Sequence, residues 1–210
     1  MEKWIWIIAG PNGAGKSTFT NEFLKTLGHG DLKKLNADER TATLRADFPN
    51  AAQDDLNLRA AVEIDQEVEA CIRAGQSFVV ETVLSSPKYR DDILTAKASG
   101  FTLGLIYISL FPPELSPLRV GERVEKGGHD VDPAKAVQRY HRSHEQLRWF
   151  APQADLLMVF DNSDPNGIPI LLASRLSGSP LNLIQPGINP SVDHALAEMP
   201  RWNMPPGGGT

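Results

Sequence analysis

The residues with the plainest chemical purpose stand in a row: Gly10-Pro11-Asn12-Gly13-Ala14-Gly15-Lys16-Ser17-Thr18. They match the spacing G-x-x-x-x-G-K-[ST] of a phosphate-binding loop. Glycines let successive backbone N–H groups curl around phosphate oxygens. A helix that follows such a loop turns its positive end toward them. Lys16 then reaches the β- and γ-phosphates, and the Ser17 hydroxyl is placed to bind Mg2+. The loop predicts ATP or GTP with Mg2+ as cofactors. It does not predict a reaction, because switches, motors, transporters and kinases all use it.

Two carboxylates and a set of arginines could add one. Asp38, in Leu35-Asn36-Ala37-Asp38-Glu39-Arg40, follows a strand pattern. In an open α/β sheet the loops after the carboxyl ends of strands face the ligand crevice. An acid there can accept the proton of an acceptor hydroxyl, or it can simply cap the next helix. Glu81 and Thr82 end an apolar run, Phe78-Val79-Val80, at the same rim. Glu81 there would orient an acceptor or a Mg2+-bound water, or be a solvated loop residue. Arg119, Arg123 and Lys126 recur at i, i+4, i+7, and Lys135, Arg139 and Arg142 repeat that spacing after Gly127-Gly128-His129-Asp130. Residues three and four apart share a helix face, so two basic stripes hinged at glycines describe a lid that brings guanidinium groups over a phosphoryl group. The plainer alternative is two solvated faces balanced by Glu122, Glu125 and Glu145. His129 would touch substrate or close the loop. His141 and His144 lack an acidic or cysteine partner that would complete a metal site.

These groups need a scaffold, and the apolar patterning supplies one. Strand-like runs at Trp4–Ala9, Leu32–Asn36, Ser77–Glu81, Thr102–Leu110 and Asp155–Asp161 alternate with helical patterns. The helices are read over Ser17–Leu27, Asp54–Ala74, Pro87–Ala98, Glu114–Lys126 and Pro133–Phe150, and Ile168–Ser174 is a further strand candidate. Within Asp54–Ala74 the apolar face is read as Leu58, Ala61, Val62, Ile64, Val68 and Ile72, with Gly75 as the stop and Cys71 as a small core residue. Such alternation implies an α/β fold: a three-layer P-loop kinase-type architecture with a mostly parallel sheet of five to six strands. The expected division is a domain over residues 1–176 and a poorly structured Pro/Gly-rich tail over 177–210, with one short helix near Val192–Met199. The apolar strand Leu156–Phe160 followed by Asp161 has the form of a second nucleotide-binding acid. No glutamate follows it, however, and Leu176-Ser177-Gly178-Ser179 comes after it instead of before, which excludes a transporter-type ATPase.

Composition narrows the class. With 210 residues, 41% of them hydrophobic and 22% charged, the chain reads as globular, and a net charge of −5 argues against a general nucleic-acid partner. No stretch approaches the ~20 apolar residues of a membrane span, and a single cysteine allows no internal disulfide. The expectation is a cytoplasmic protein with a small-molecule acceptor, without membrane or nucleic acid.

The ordered set of motifs resembles the zeta-toxin family of P-loop kinases. The phosphate loop, Asn36-Ala37-Asp38-Glu39, Glu81-Thr82, Arg123 through Val131, Arg139-Tyr-His-Arg142-Ser and Asp161-Asn162-Ser163 fall in the family's order over about residues 4–175. The resemblance implies strand order 2-3-1-4-5 and transfer of a γ-phosphoryl group to a hydroxyl. In characterised members that hydroxyl is the 3′-hydroxyl of UDP-N-acetylglucosamine, a sugar nucleotide. Carried over by position, Asp38 is the general base and Lys16 and Ser17 hold phosphates and Mg2+. Glu81 and Thr82 contact the acceptor. Arg123 and Arg139 are lid arginines with Arg119 and Arg142 as rivals, and Asp161-Asn162-Ser163 lies near the base of the nucleotide. An antitoxin protein is the implied partner. The Gly-Gly-His-Asp segment marks a separate branch. The competing class is a P-loop ATPase that gates protein binding without phosphorylating a metabolite.

Overall fold

A computed structural model of the chain describes residues 2–125, 131–164 and 166–201. Five parallel strands form the centre: β1 (Lys3–Ala9), β2 (Lys33–Asn36), β3 (Phe78–Thr82), β4 (Phe101–Ser109) and β5 (Leu156–Asp161). They run in the order β2-β3-β1-β4-β5, as the resemblance implied, and β6 (Ile170–Leu176) and β7 (Asn182–Leu183) extend the sheet antiparallel beyond β5. The sheet therefore has seven strands among the described residues, where five to six were expected. Alternation along each strand separates two cores. Ile5, Ile7 and Leu105 face one and Trp6, Ile8 and Ile106 the other.

The first core is covered by α3 (Gln53–Ala74), α4 (Arg90–Ala98), α6 (Pro133–Gln153) and α7 (Pro190–Ala195), the second by α1 (Lys16–Thr26). This gives the three layers. In α3 the buried stripe is Leu56, Ala60, Ile64, Val68, Cys71 and Ile72. Leu58 and Val62, read as core, are exposed, because Leu58 stands about 200° around the helix from Leu56 at the ideal ~100° per residue. Each buried Leu, Ile or Val side chain contributes about 1.5–3 kcal/mol. Two further helices carry site residues: α2 (Ala37–Asp47) and α5 (Leu115–Glu125).

The tail expectation does not hold between 177 and 201. Leu181, Val192, Leu196 and Met199 are buried in the first core, and Leu181 bridges to Arg201. Residue composition misled here. Asn189 caps α7 with its side chain and Pro190 occupies the first turn, so Asn and Pro start a helix instead of breaking one. The short helix is in place, though it begins two residues earlier than Val192 and its regular part ends at Ala195.

Candidate active site

The phosphate loop lies between β1 and α1, at the carboxyl edge of the sheet. Two glycines make its shape possible. Gly10 has φ +144 and a Cβ there would stand 1.9 Å from the Ile108 carbonyl oxygen; Gly15, with φ +82, caps α1 in the left-handed region and would meet the Asn162 amide at 2.6 Å. Backbone excludes any side chain at Gly10, and at Gly15 one would be strained and push the Asn162 amide aside.

Lys16 Nζ donates to the carbonyls of Gly10 and Pro11, 3.0 Å each, so its ammonium sits inside the loop where phosphate oxygens would lie. Burial pushes it below the usual lysine range. The carboxylates of Glu81 and Asp38 oppose that shift and the Arg123 guanidinium adds to it. These influences place Glu81, Asp38 and Arg123 within electrostatic reach of Lys16. The Ser17 hydroxyl donates to Glu81 Oε1 at 2.6 Å. Burial pushes the Glu81 carboxyl above the ordinary carboxylate range; Ser17 and Lys16 act against this, and Glu39 and Asp38 add to it.

The side of the crevice next to Glu81 is built by β2, α2 and β3. Parallel pairing sets Asn36 beside Glu81. Asn36 is the cap of α2, accepting from the Asp38 and Glu39 N–H groups at 2.9 and 3.4 Å. Asp38 is therefore not the cap, and its exposed side chain stands free of that duty. Arg40 holds α2 to α3 through ion pairs with Glu63, at 2.9 Å, and with Glu67, and Leu44 packs on Leu56 and Ala60. Ser17, Asn36, Glu39 and Glu81 line a small cleft at this junction. Thr82 spends its hydroxyl oxygen on the N–H of Leu84, a non-glycine residue at φ +54.

On the opposite side α5 and the loop after β5 grip the phosphate loop. Ser116 donates to the Asn12 carbonyl at 2.8 Å and Asn162 Nδ2 to the Ala14 carbonyl at 2.9 Å. Arg119 forks onto the carbonyls of Asn162 and Ser163 at 2.5 and 2.7 Å. Its guanidinium thus fixes the 162–163 loop instead of pointing as a lid residue. Ser116 escaped sequence reading, since a lone serine on a helix gives no signal. Arg123 is exposed on α5. Arg139 (half-buried) and Arg142 (exposed) lie on α6, and among the described residues neither is hydrogen-bonded to the phosphate loop. His129 and the glycine hinge lie outside the described residues.

The donor set fits nucleotide and Mg2+. A buried ammonium ringed by carbonyls calls for an anion, and Mg2+ takes hard oxygens, one or two carboxylates, waters and substrate phosphates. Ser17 and Glu81 supply two such oxygens side by side. No group of three or more His, Cys, Asp or Glu among the described residues forms a dedicated metal cage, and Mg2+ with a nucleotide needs none. A roomier cavity of about 740 Å3 opens at the β5–β7 edge beside Leu156, Met158 and Leu176, but it holds none of the phosphate-binding residues. No helix among the described residues is long and apolar enough to cross a membrane.

The comparisons agree with this architecture. The model of the zeta-toxin family matches residues 2–168. An uncharacterised protein of Haemophilus influenzae is 27% identical over 153 residues, which is 67% of this chain and 99% of that protein. Among solved structures, the AvrRxo1-ORF1:-ORF2 complex with ATP superposes with a TM-score of 0.68 at 19% identity over 88% of this chain. The chain spans 61% of that protein's length. The PezAT toxin-antitoxin system of Streptococcus pneumoniae superposes with a TM-score of 0.57 at 18% identity, covering 77% of this chain and 69% of that one.

Proposed function

The chain belongs to the zeta-toxin family of P-loop kinases, and from that premise we propose that it transfers the γ-phosphoryl group of ATP or GTP to a hydroxyl of a small molecule. The observation that carries this reading is a carboxylate on the phosphate loop, Glu81 bonded to Ser17, with Asp38 exposed in the first turn of α2, two residues beyond Asn36, which pairs with Glu81. A plain nucleotide switch needs the loop but no free base on the acceptor side. Asp38 takes the proton of the acceptor hydroxyl as its oxygen bonds to the γ-phosphorus and the bond to the bridging oxygen breaks, releasing ADP or GDP. Lys16 would neutralise the phosphates, Ser17 with Glu81 would hold Mg2+ and its waters, and Arg123 would add positive charge near the phosphoryl group. Mg2+, when bound there, would supply Lewis-acid neutralisation of phosphate charge.

A sugar nucleotide such as UDP-N-acetylglucosamine is the proposed acceptor, and an antitoxin the proposed protein partner. AvrRxo1-ORF1 and PezAT, both described as two-component systems or complexes, support the second point by analogy. The test is incubation with γ-labelled ATP, Mg2+ and either UDP-N-acetylglucosamine or a metabolite extract, with mass spectrometry of labelled products. Wild type should label a small molecule. Asp38→Asn should lower that rate about 10²–10⁴-fold while keeping nucleotide affinity. No labelled small molecule, or full activity in Asp38→Asn, defeats the proposal.

A further inference from the structure

Beyond the family match, which ends at residue 168, the chain returns to the nucleotide site from behind. Asn189 is fully buried at the start of α7. Its amide nitrogen donates to Asp161 Oδ2 at 2.7 Å and to Ser109 Oγ at 3.0 Å, and its Oδ1 accepts the Val192 N–H at 3.2 Å. Both N–H donors of the amide and one lone pair of its oxygen are used. Asp161 is itself buried, and its other oxygen accepts the Ser163 N–H at 2.9 Å. Ser163 Oγ accepts the Phe111 N–H at 2.7 Å. The loop so ordered carries Asn162, whose amide holds the Ala14 carbonyl and lies against Gly15, and offers the two carbonyls that Arg119 grips. Ser109 is held on its other side by His144.

We propose that Asn189 is a positioning residue for nucleotide binding: through Asp161 and the 162–163 loop it fixes the shape of the phosphate loop. The inference rests on the nucleotide-binding part of the reading above. An unbraced Asp161 carboxylate would lose its only side-chain donor among these contacts and seek water or another partner, releasing the Ser163 N–H. The Asn162–Ala14 contact would then be free to shift, and a loop that must present several N–H groups to phosphate at once is intolerant of such shifts. Asparagine is the type required, because one residue must cap α7 with an oxygen and donate to a carboxylate with a nitrogen.

The duty as a cap and the duty as a brace can be separated. Asp caps helices as well as Asn does, so Asn189→Asp keeps the bond from Val192 N–H but sets a carboxylate against Asp161. The assay is equilibrium binding of fluorescent N-methylanthraniloyl-ATP with Mg2+ to the full chain, below the melting temperature of every variant. Asn189→Ala is expected to raise Kd about ten-fold, in line with loss of a hydrogen bond to a charged group, and Asn189→Asp at least as much. Val192→Ala, which opens the core beneath the same helix, should stay within two-fold despite a lower melting temperature. The inference is overturned if Asn189→Ala binds as wild type does, if Asn189→Asp restores wild-type affinity, or if Val192→Ala is as impaired as Asn189→Ala. Should wild type itself bind no nucleotide, it is the functional reading that fails.

Discussion

Lowering the pH from about 7.5 to about 5 should cost the fold about 2 kcal/mol through one side chain, His144. Its Nδ1 lies 2.9 Å from the Tyr140 carbonyl, which can only accept, so Nδ1 carries the proton. Its Nε2 lies 2.9 Å from Ser109 Oγ and accepts from that hydroxyl. A second proton on the ring would make Nε2 a donor and turn the Ser109 O–H away, toward the Leu110 carbonyl at a poorer 3.4 Å. Burial lowers the His144 pKa from 6.5 to about 4; the bond to Tyr140 acts the other way and His141 adds to the shift. Between those values the unfolded chain binds the proton and the folded one does not. The contribution is therefore whole above 6.5 and is lost as pH falls toward 4. The full span is about 3 kcal/mol at ~1.4 kcal/mol per unit, of which about 2 kcal/mol is gone at pH 5. Urea unfolding of wild type and His144→Gln at both pH values isolates it, because carboxylates such as Asp155, whose low pKa also makes folding acid-sensitive, cancel in the difference. The stability of wild type relative to His144→Gln should fall by about 2 kcal/mol between the two conditions. An equal difference at both pH values would mean that the folded ring accepts a proton freely, and the buried network would be wrongly read.

Three other perturbations probe the site and its scaffold. Glu81→Gln removes the carboxylate beside Ser17; turnover should drop at least about 10²-fold with a raised Mg2+ requirement, read by Mg2+ titration, while Mg2+-free nucleotide binding stays unchanged. Arg119→Ala removes the fork on Asn162 and Ser163; calorimetric ATP affinity should fall about ten-fold, and Arg119→Lys should recover only part of it, since an ammonium cannot span two carbonyls in a planar fork. A chain cut after residue 176 loses Leu181, Val192, Leu196 and Met199 from the core. At about 1.5–3 kcal/mol each, that burial rivals a whole domain's stability of about 5–15 kcal/mol. The truncated chain should show no cooperative urea transition, and a normal one would show that 177–201 is dispensable.

The sequence made local chemistry legible and distant contacts illegible. The phosphate loop could be read because its glycines, Lys16 and Ser17 lie within one short segment, with β1 before it and α1 after it. The end of α3 at Gly75 and the strand order were equally clear from pattern and resemblance. The helix α2 was missed because its buried residues are only Thr41 and Leu44, too few to make a stripe. Arg119 was read from its spacing as part of a basic stripe. Its partners are 43 and 44 residues away, so spacing could not show that the guanidinium is already engaged. Asn189 was lost in a segment judged by its Pro and Gly content, although the Asn-Pro pair is itself a helix-start signal.

The two sides of the crevice are built differently, and on the proposed function that difference would locate acceptor choice. On the β4–β5 side the phosphate loop is held by Ser116, Asn162 and Arg119, with buried groups behind them out to Asn189. A side chain there answers to several partners, so a change of specificity would disturb nucleotide binding first. On the β2–β3 side Asp38 and Glu39 are exposed at the first turn of α2, and that helix is moored to α3 by Arg40 through surface ion pairs. These pairs, like the packing of Leu44 on Leu56 and Ala60, tie α2 to α3 instead of to the groups that hold the phosphate loop. Substitutions in α2 that spare Asp38 should therefore alter which hydroxyl is accepted while leaving ATP affinity within about two-fold. Paired measurement of nucleotide Kd and acceptor KM checks this, and a loss of nucleotide affinity in parallel with acceptor KM would show that the two sides are one mechanical unit.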